Sequence, residues 1–268
     1  MKIVEFRIFV PLKVEWCGAA AKYSVNRRTT EESKNGDGFE IVEAGQFNEN
    51  GVTGRYVHRI LHFKNQVPDA VRWAVPEKYS HIHEHNRNAF PHYVATFEIP
   101  DIGDKLILNT ETKHIDYHSV ADIPENIMGF SEAELKKREV IYPDLLNGKA
   151  PTHKEFDLHG FSYPPAGIPV LKCKSKKLHF HHIPQWVQEY ESGPLCLIIK
   201  TVKFRFKWPG IQTLVEKIVT GNVFPDVYLD THRAMVKWID QWFNLSEQDL
   251  INMENKTKDK LAENEFDD

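Results

Sequence analysis

Residues 80 to 93 read SHIHEHNRNAFPHY, four histidines and a glutamate within fourteen positions, so metal ligation is the first chemistry to weigh. Zinc hydrolases set two histidines at i and i+4 on one helix face, with a glutamate beside the bound water, in the pattern HExxH. Here His83 and Glu84 are followed by His85, Asn86 and then Arg87 where the second histidine belongs, so the motif fails. His81 and His85 do stand at i, i+4, and HFHH at 179 to 182 could add ligands, but no cysteine or carboxylate lies in register with either cluster. Surface or hydrogen-bonded histidines account for them better, and no metal is expected. Between the histidines, Glu84 and Asn88 are also spaced i, i+4. On a helical turn that spacing sets a carboxylate beside an amide, a pair able to grip hydroxyl groups, or equally a solvated helix face.

The second feature is a lysine. In LCLIIKTVKFRFKW, 195 to 208, Lys200 shares a strand face with Val202, Phe204, Phe206 and Trp208, while Lys203, Arg205 and Lys207 take the other. An ammonium on an apolar face is costly unless it meets an anion, so Lys200 either snorkels from the strand edge or meets a buried phosphate. The stretch then exits through Trp208, Pro209 and Gly210. A tryptophan at such an exit suits a membrane interface, or closes the edge of a core.

The elements that must position these residues are mostly strands. Val4, Phe6, Ile8 and Val10 alternate with Glu5 and Arg7, predicting a strand with one buried side. Residues 26 to 54 carry KNGDG, NENG and TG turn signals around FEIVEA and read as strands joined by loops. RYVHRILHF at 55 to 63, HYVATFEI and KLILNTETKHI read as further strands, and residues 68 to 90 contain helix-capable segments broken by Pro76. Ser131 with Glu134 opens a helix by the capping-box spacing, and 147 to 185 is a long irregular excursion. Helices are predicted at about 210 to 220 and 231 to 243, the latter with a core stripe of Met235, Trp238, Ile239 and Trp242. A last helix starts at Ser246, with Asp249 at cap spacing and Glu254 and Lys258 as an i, i+4 pair. No repeat or low-complexity linker divides residues 1 to 268, which predicts one α+β domain.

The bulk properties narrow the classes. With 41% hydrophobic and 27% charged residues the chain is an ordinary globular protein, and its net charge of −4 gives no reason to expect a nucleic-acid partner. Cys17, Cys173 and Cys196 are odd in number and widely spaced, which fits a reducing compartment. No apolar run approaches the roughly 20 residues of a membrane-spanning helix, and MKIVEFRIFVPLKVEW lacks the core of a signal peptide. Any membrane contact is therefore expected to be peripheral. No nucleophile–base–orienter set is visible, so no enzymatic activity is expected.

Taken in order, EFRIFVP, KYSV at 22 to 25, GRYVHRILHF at 54 to 63, IHEHNRNAFP at 82 to 91, VKFRFKWPG and HRAMVKWIDQWFNLSEQDLINMENKTKDKL resemble the class I phosphatidylinositol transfer proteins over nearly the whole chain. The resemblance implies a large, curved, mostly antiparallel sheet with long helices around a cavity for one phospholipid, related to the START and Bet v 1 architecture. It also implies a regulatory C-terminal helix and tail from about 245. By position, Lys200 and Thr112 would contact the phosphate, and Glu84, Asn88 and Arg59 the inositol, with arginine at 59 in place of a lysine. Val57, on the same strand face as Arg59, replaces an inositol-binding threonine, and Ala21 and Ala95 replace polar residues near the phosphate. Pro209 replaces the second of two docking aromatics beside Trp208.

The implied protein is a cytoplasmic monomer, transiently membrane-associated, that binds phosphatidylinositol or phosphatidylcholine, uses no cofactor and exchanges the lipid between membranes. An adaptor presenting the lipid to a signalling enzyme is the alternative, and a metal-dependent hydrolase a more distant one.

Overall fold

In the computed structural model, residues 1–33, 38–63, 79–100, 102–174, 181–190 and 192–262 are described. Eight strands form one sheet in the order β2-β3-β4-β5-β6-β8-β1-β7. They are β1 (Lys2–Val10), β2 (Gly38–Glu49), β3 (Val52–His62), β4 (His81–Ala89), β5 (His92–Glu98), β6 (Leu106–Asp116), β7 (Arg138–Ile141) and β8 (Cys196–Phe206). Every neighbouring pair is antiparallel except β1 with β7. The mostly antiparallel α+β sheet implied by the sequence is therefore present.

The long alternating segments became strands as expected, but β1 differs from its prediction. It lies between β8 and β7 and is buried on both faces, including Glu5 and Arg7. Their charges are tolerable because they are paired: Glu5 accepts from Arg7 Nε at 2.7 Å and from Arg138 Nη1 at 2.9 Å, and Arg7 Nη1 donates to Tyr142 at 3.1 Å.

Helix α1 (Val14–Glu32) overturns the reading of residues 26 to 32 as strand and loop. Its polar half lacks a wide apolar stripe and instead closes bonds along its own axis, with Arg27 on Glu31 at 2.8 Å and Thr30 Oγ1 on the Asn26 carbonyl at 3.0 Å. Small or thin side chains, Cys17, Ala20 and Ser24, form its buried face, a pattern that hydrophobic periodicity does not detect. At 132, the capping box is present as expected, but the helix is a single turn, Glu132–Leu135. REVI then pairs with β1, because parallel sheet contacts outweigh one turn of propensity.

Helices α2 (Gln212–Ile218) and α3 (Phe224–Lys237) are joined by a π turn at Val219–Val223, so the two expected helices are nearly continuous. Met235, Trp238, Ile239 and Trp242 are all buried, as their spacing predicts. Ser246 and Asp249 bond reciprocally at the start of α4 (Glu247–Ala262). Glu254 takes a different partner from the one its spacing suggests. Arg55 grips it from β3, with Nη2 at 2.5 Å and Nε at 2.9 Å, while Lys258 reaches the Val42 carbonyl at 3.5 Å. A bidentate, mostly covered guanidinium–carboxylate pair is stronger than an exposed helix pair. α4 thereby packs on α1 and β2.

The stretch at 81 to 89, expected as part of a helix, is β4. Cross-strand pairing on both sides, with β3 and β5, overrides local helix capacity. Most of the rest of that expected helical region, 68 to 78, lies outside the described residues, as do residues 64 to 67, His179, Phe180 and residues 263 to 268.

Candidate functional site

Strand geometry sends successive side chains to opposite faces, so the register assigns a complete inner wall. One row across the sheet is Arg55, Asn88, Tyr93, Thr112, Lys200 and Phe6. The next is Val57, Asn86, Ala95, Thr110 and Val202, and the one after it Arg59, Glu84, Phe97, Leu108 and Phe204. Beyond these lie Leu61 with Ile82 and Leu106 with Phe206. The first row is polar from Arg55 to Lys200, the next two keep polar side chains on β3 and β4 and at Thr110, and the last pairs are apolar. This wall, with α1, α2, α3 and Glu254 of α4, encloses a cavity of about 640 Å³.

Lys200 sits at the polar end. Its Nζ donates to Thr112 Oγ1 at 3.1 Å and lies 5.2 Å from the Tyr228 ring centre. Burial pushes its pKa down to about 8. The part of its surface that remains accessible faces the cavity. Of the two openings left by the sequence, snorkelling or a phosphate, the geometry favours an anion inside the cavity.

Two buried histidines surround it. His114 Nδ1 donates to the Pro91 carbonyl at 3.0 Å and His232 Nδ1 to the Tyr228 carbonyl at 2.5 Å. Burial lowers both, His114 to about 4, with the Lys200 charge acting in the same direction. Both are neutral at pH 7, so the positive charge in this corner comes from Lys200 and from Arg28, which bridges to Thr231 at 2.7 Å. Neither histidine nor Arg28 stood out in the sequence. His114 could have been found as the cavity-face neighbour of Thr112, two residues along β6.

On β3 and β4 the site residues meet. Arg59 Nη2 donates to Glu84 Oε2 at 2.6 Å, and Asn86 Nδ2 donates to Glu84 Oε1 at 3.1 Å. Arg59 and Glu84 are direct cross-strand partners, as are Val57 and Asn86. Asn88 follows on the same face, because i and i+4 are both even steps along a strand as well as near neighbours on a helix. Asn86 was missed because the helical reading turned it away. Two buried polar atoms of this network, Arg59 Nε and Asn86 Oδ1, have no hydrogen-bond partner among the described residues. Such atoms are uncommon and mark a place where a ligand can add a bond.

Trp208 closes the apolar end. It stacks on Phe206 at 5.9 Å, meets Tyr79 edge-on at 5.8 Å and lines the cavity. Pro209 and Gly210 are exposed beyond it, Gly210 with φ +84. Lys207 and Arg205 are the nearest cations along the chain.

The histidines of β4 face the opposite way, on the outer side of the sheet. His58 Nε2 lies 3.0 Å from His83 Nδ1, the His58 and His85 rings stack at 4.3 Å, and Tyr56 bonds His85 Nδ1 at 2.9 Å. Among the described residues no group of three or more histidine, cysteine, aspartate or glutamate side chains is placed to hold a metal. Burial and neighbouring imidazoles lower the pKa values of His58 and His83 below the ordinary 6.5, while Glu40, Glu43 and Glu98 oppose this. The unfolded chain therefore binds these protons more readily than the native one, and stability is whole above about pH 6.5 and falls as pH drops through that value. Thermal midpoints should fall from pH 7.5 to 5.5. The double variant His58→Asn/His83→Asn should lose less over the same interval, and an equal loss would show that other groups control it.

A family model described as phosphatidylinositol transfer protein matches residues 1–259. The chain is 31% identical over 263 residues to phosphatidylinositol transfer protein 2 of Dictyostelium discoideum, covering 98% of this chain and 96% of that protein. It is 28% identical over 262 residues to the human phosphatidylinositol transfer protein beta isoform, covering 97% and 93%.

Proposed function

The chain belongs to the phosphatidylinositol transfer protein family, and from this we propose that it encloses one phosphatidylinositol or phosphatidylcholine and exchanges it between membranes. The observation that carries this reading is the Lys200–Thr112 corner inside an otherwise largely apolar cavity. Lys200 and Thr112 hold the phosphate. Arg59, Glu84 and Asn88 hold the headgroup beside Val57, and the acyl chains run toward Leu106, Phe206 and Trp208. A cation for the phosphate and a few convergent polar groups in a largely apolar enclosure are what such a ligand needs.

Nothing in this process breaks a covalent bond, and the protein works as a carrier, a monomer that meets cytoplasmic membrane surfaces transiently. Among the described residues no helix is long and apolar enough to cross a membrane. Docking then falls to a surface: the exposed Pro209 turn is the part that touches lipid, and Trp208 swings out to follow it. Exchange needs two states, closed in water and open at the membrane, with membrane contact stabilising the second. In vesicle assays, labelled phosphatidylinositol and phosphatidylcholine should move from donor to acceptor well above the protein-free rate. Transfer of both at background would overturn the proposal, and bound lipid that never moves would favour a presenting role instead.

A further inference from the structure

We propose that Asn86 is the residue that makes the cavity select a hydroxyl-bearing headgroup over choline; this rests on the transfer reading above. Its amide orientation follows from its partner. A carboxylate only accepts, so the nitrogen of Asn86 faces Glu84 Oε1, at 3.1 Å, and the oxygen is turned away from it. That oxygen is shielded and has no hydrogen-bond partner among the described residues, although the side chain as a whole is only partly covered and lines the cavity.

The residues beside it cannot supply a donor. In the register Asn86 lies between Val57 on β3 and Ala95 on β5, and neither side chain has a polar atom. The nearby network ends in a complementary orphan, the Nε–H of Arg59, whose Nη2 already serves Glu84. The three residues together therefore offer one unused acceptor and one unused donor on the same wall. A hydroxyl group satisfies both kinds, donating to Asn86 Oδ1 and accepting from Arg59 Nε. A trimethylammonium group can do neither, since it has no N–H and no lone pair. A buried carbonyl without a donor is destabilising, so a ligand that supplies the donor gains affinity that choline cannot.

The geometry also explains how Val57 is tolerated. The hydrogen-bonding side chain stands on β4, directly across the strand pair from the apolar one on β3. A hydroxyl introduced at 57 would project from the facing position.

The test measures transfer of phosphatidylinositol, phosphatidylglycerol and phosphatidylcholine from vesicles of stated composition by wild type, Asn86→Ala and the strand-favouring Asn86→Val. Phosphatidylinositol transfer should fall about tenfold relative to phosphatidylcholine in both variants. Val57→Thr/Asn86→Ala should recover part of that preference, since the threonine hydroxyl projects from the facing position. A loss confined to phosphatidylinositol assigns the contact to the inositol ring, and a parallel loss of phosphatidylglycerol extends it to glycerol hydroxyls. An unchanged ratio, or an equal loss of all three lipids, overturns the proposal. Wild type that transfers none of them would instead contradict the functional reading itself.

Discussion

Lys200→Met should cut binding and transfer of phosphatidylinositol and phosphatidylcholine together, by about 100-fold, while making the lipid-free protein more stable. The two effects share one cause. Both lipids carry the phosphate that the ammonium would neutralise, so the loss does not depend on headgroup. Without that anion the ammonium is desolvated, and its pKa falls from 10.5 to about 8. A depression of that size corresponds to a penalty on the order of 3 kcal/mol in the charged form.

At pH 7 the lysine is protonated in the folded and unfolded states alike, so the full penalty applies. It is relieved as pH rises from about 8 toward 10.5, because the folded state releases its proton first. Lipid-free wild type should therefore gain stability over that interval relative to the methionine variant, and the variant should melt several degrees higher at pH 7. Calorimetry with and without lipid reads both. Normal transfer by the variant, or loss of only one lipid, would contradict the role given to Lys200.

Glu254→Gln should release α4 from the sheet. Arg55 and Glu254 are mostly covered, with side chains 16% and 11% exposed, and the guanidinium makes its bonds through both Nε and Nη2. Removing one charge strands the other, at a cost of about 2–3 kcal/mol once partial exposure is allowed for. The other polar ties of α4 among the described residues are weaker: Lys22 to Glu247 at the surface, Thr30 Oγ1 to Thr257 Oγ1 at 3.3 Å and Lys258 Nζ to the Val42 carbonyl at 3.5 Å. Hydrogen exchange should consequently speed up across Glu247–Ala262 with little change in β1 and β8, and bound lipid should leave faster. The double variant Arg55→Met/Glu254→Leu should restore most of the protection, since an apolar pair of similar size replaces an ion pair at little cost. Equal protection in the single variant and wild type would mean that α4 is held elsewhere.

The same ion pair shows what sequence spacing can and cannot reveal. Glu254 and Lys258 stand at the textual distance of a helix pair, but the stronger partner, Arg55, is 199 positions away and is known only once α4 lies on the sheet. Lys200 was legible because a charge among Val202, Phe204 and Phe206 is anomalous whatever surrounds it. Glu84 and Asn88 share one wall despite the wrong secondary structure at 81 to 89, because an interval of four is compatible with one face in both geometries, whereas Arg59 was named only by the resemblance. Asn86 is compatible only with the strand, and so went unseen. The alternating run of β6 was legible because one more deeply buried face leaves a period of two. α1 was not, since its buried face is built from Cys17, Ala20 and Ser24, whose small side chains leave little hydrophobic signal.

Trp208 had two readings in the sequence, and the resting contacts with Phe206 and Tyr79 agree with the core-edge one. A docking role would therefore require movement, and the cost of leaving those contacts would have to be recovered from the membrane.

The central claim is enclosure of one phospholipid, and native mass spectrometry of the purified protein tests it most directly. A single adduct per chain is expected, with the mass of one phosphatidylinositol or phosphatidylcholine. It should persist in dilute solution and exchange when vesicles of the other lipid are added. A protein of bare chain mass that takes up neither lipid from vesicles would contradict the account.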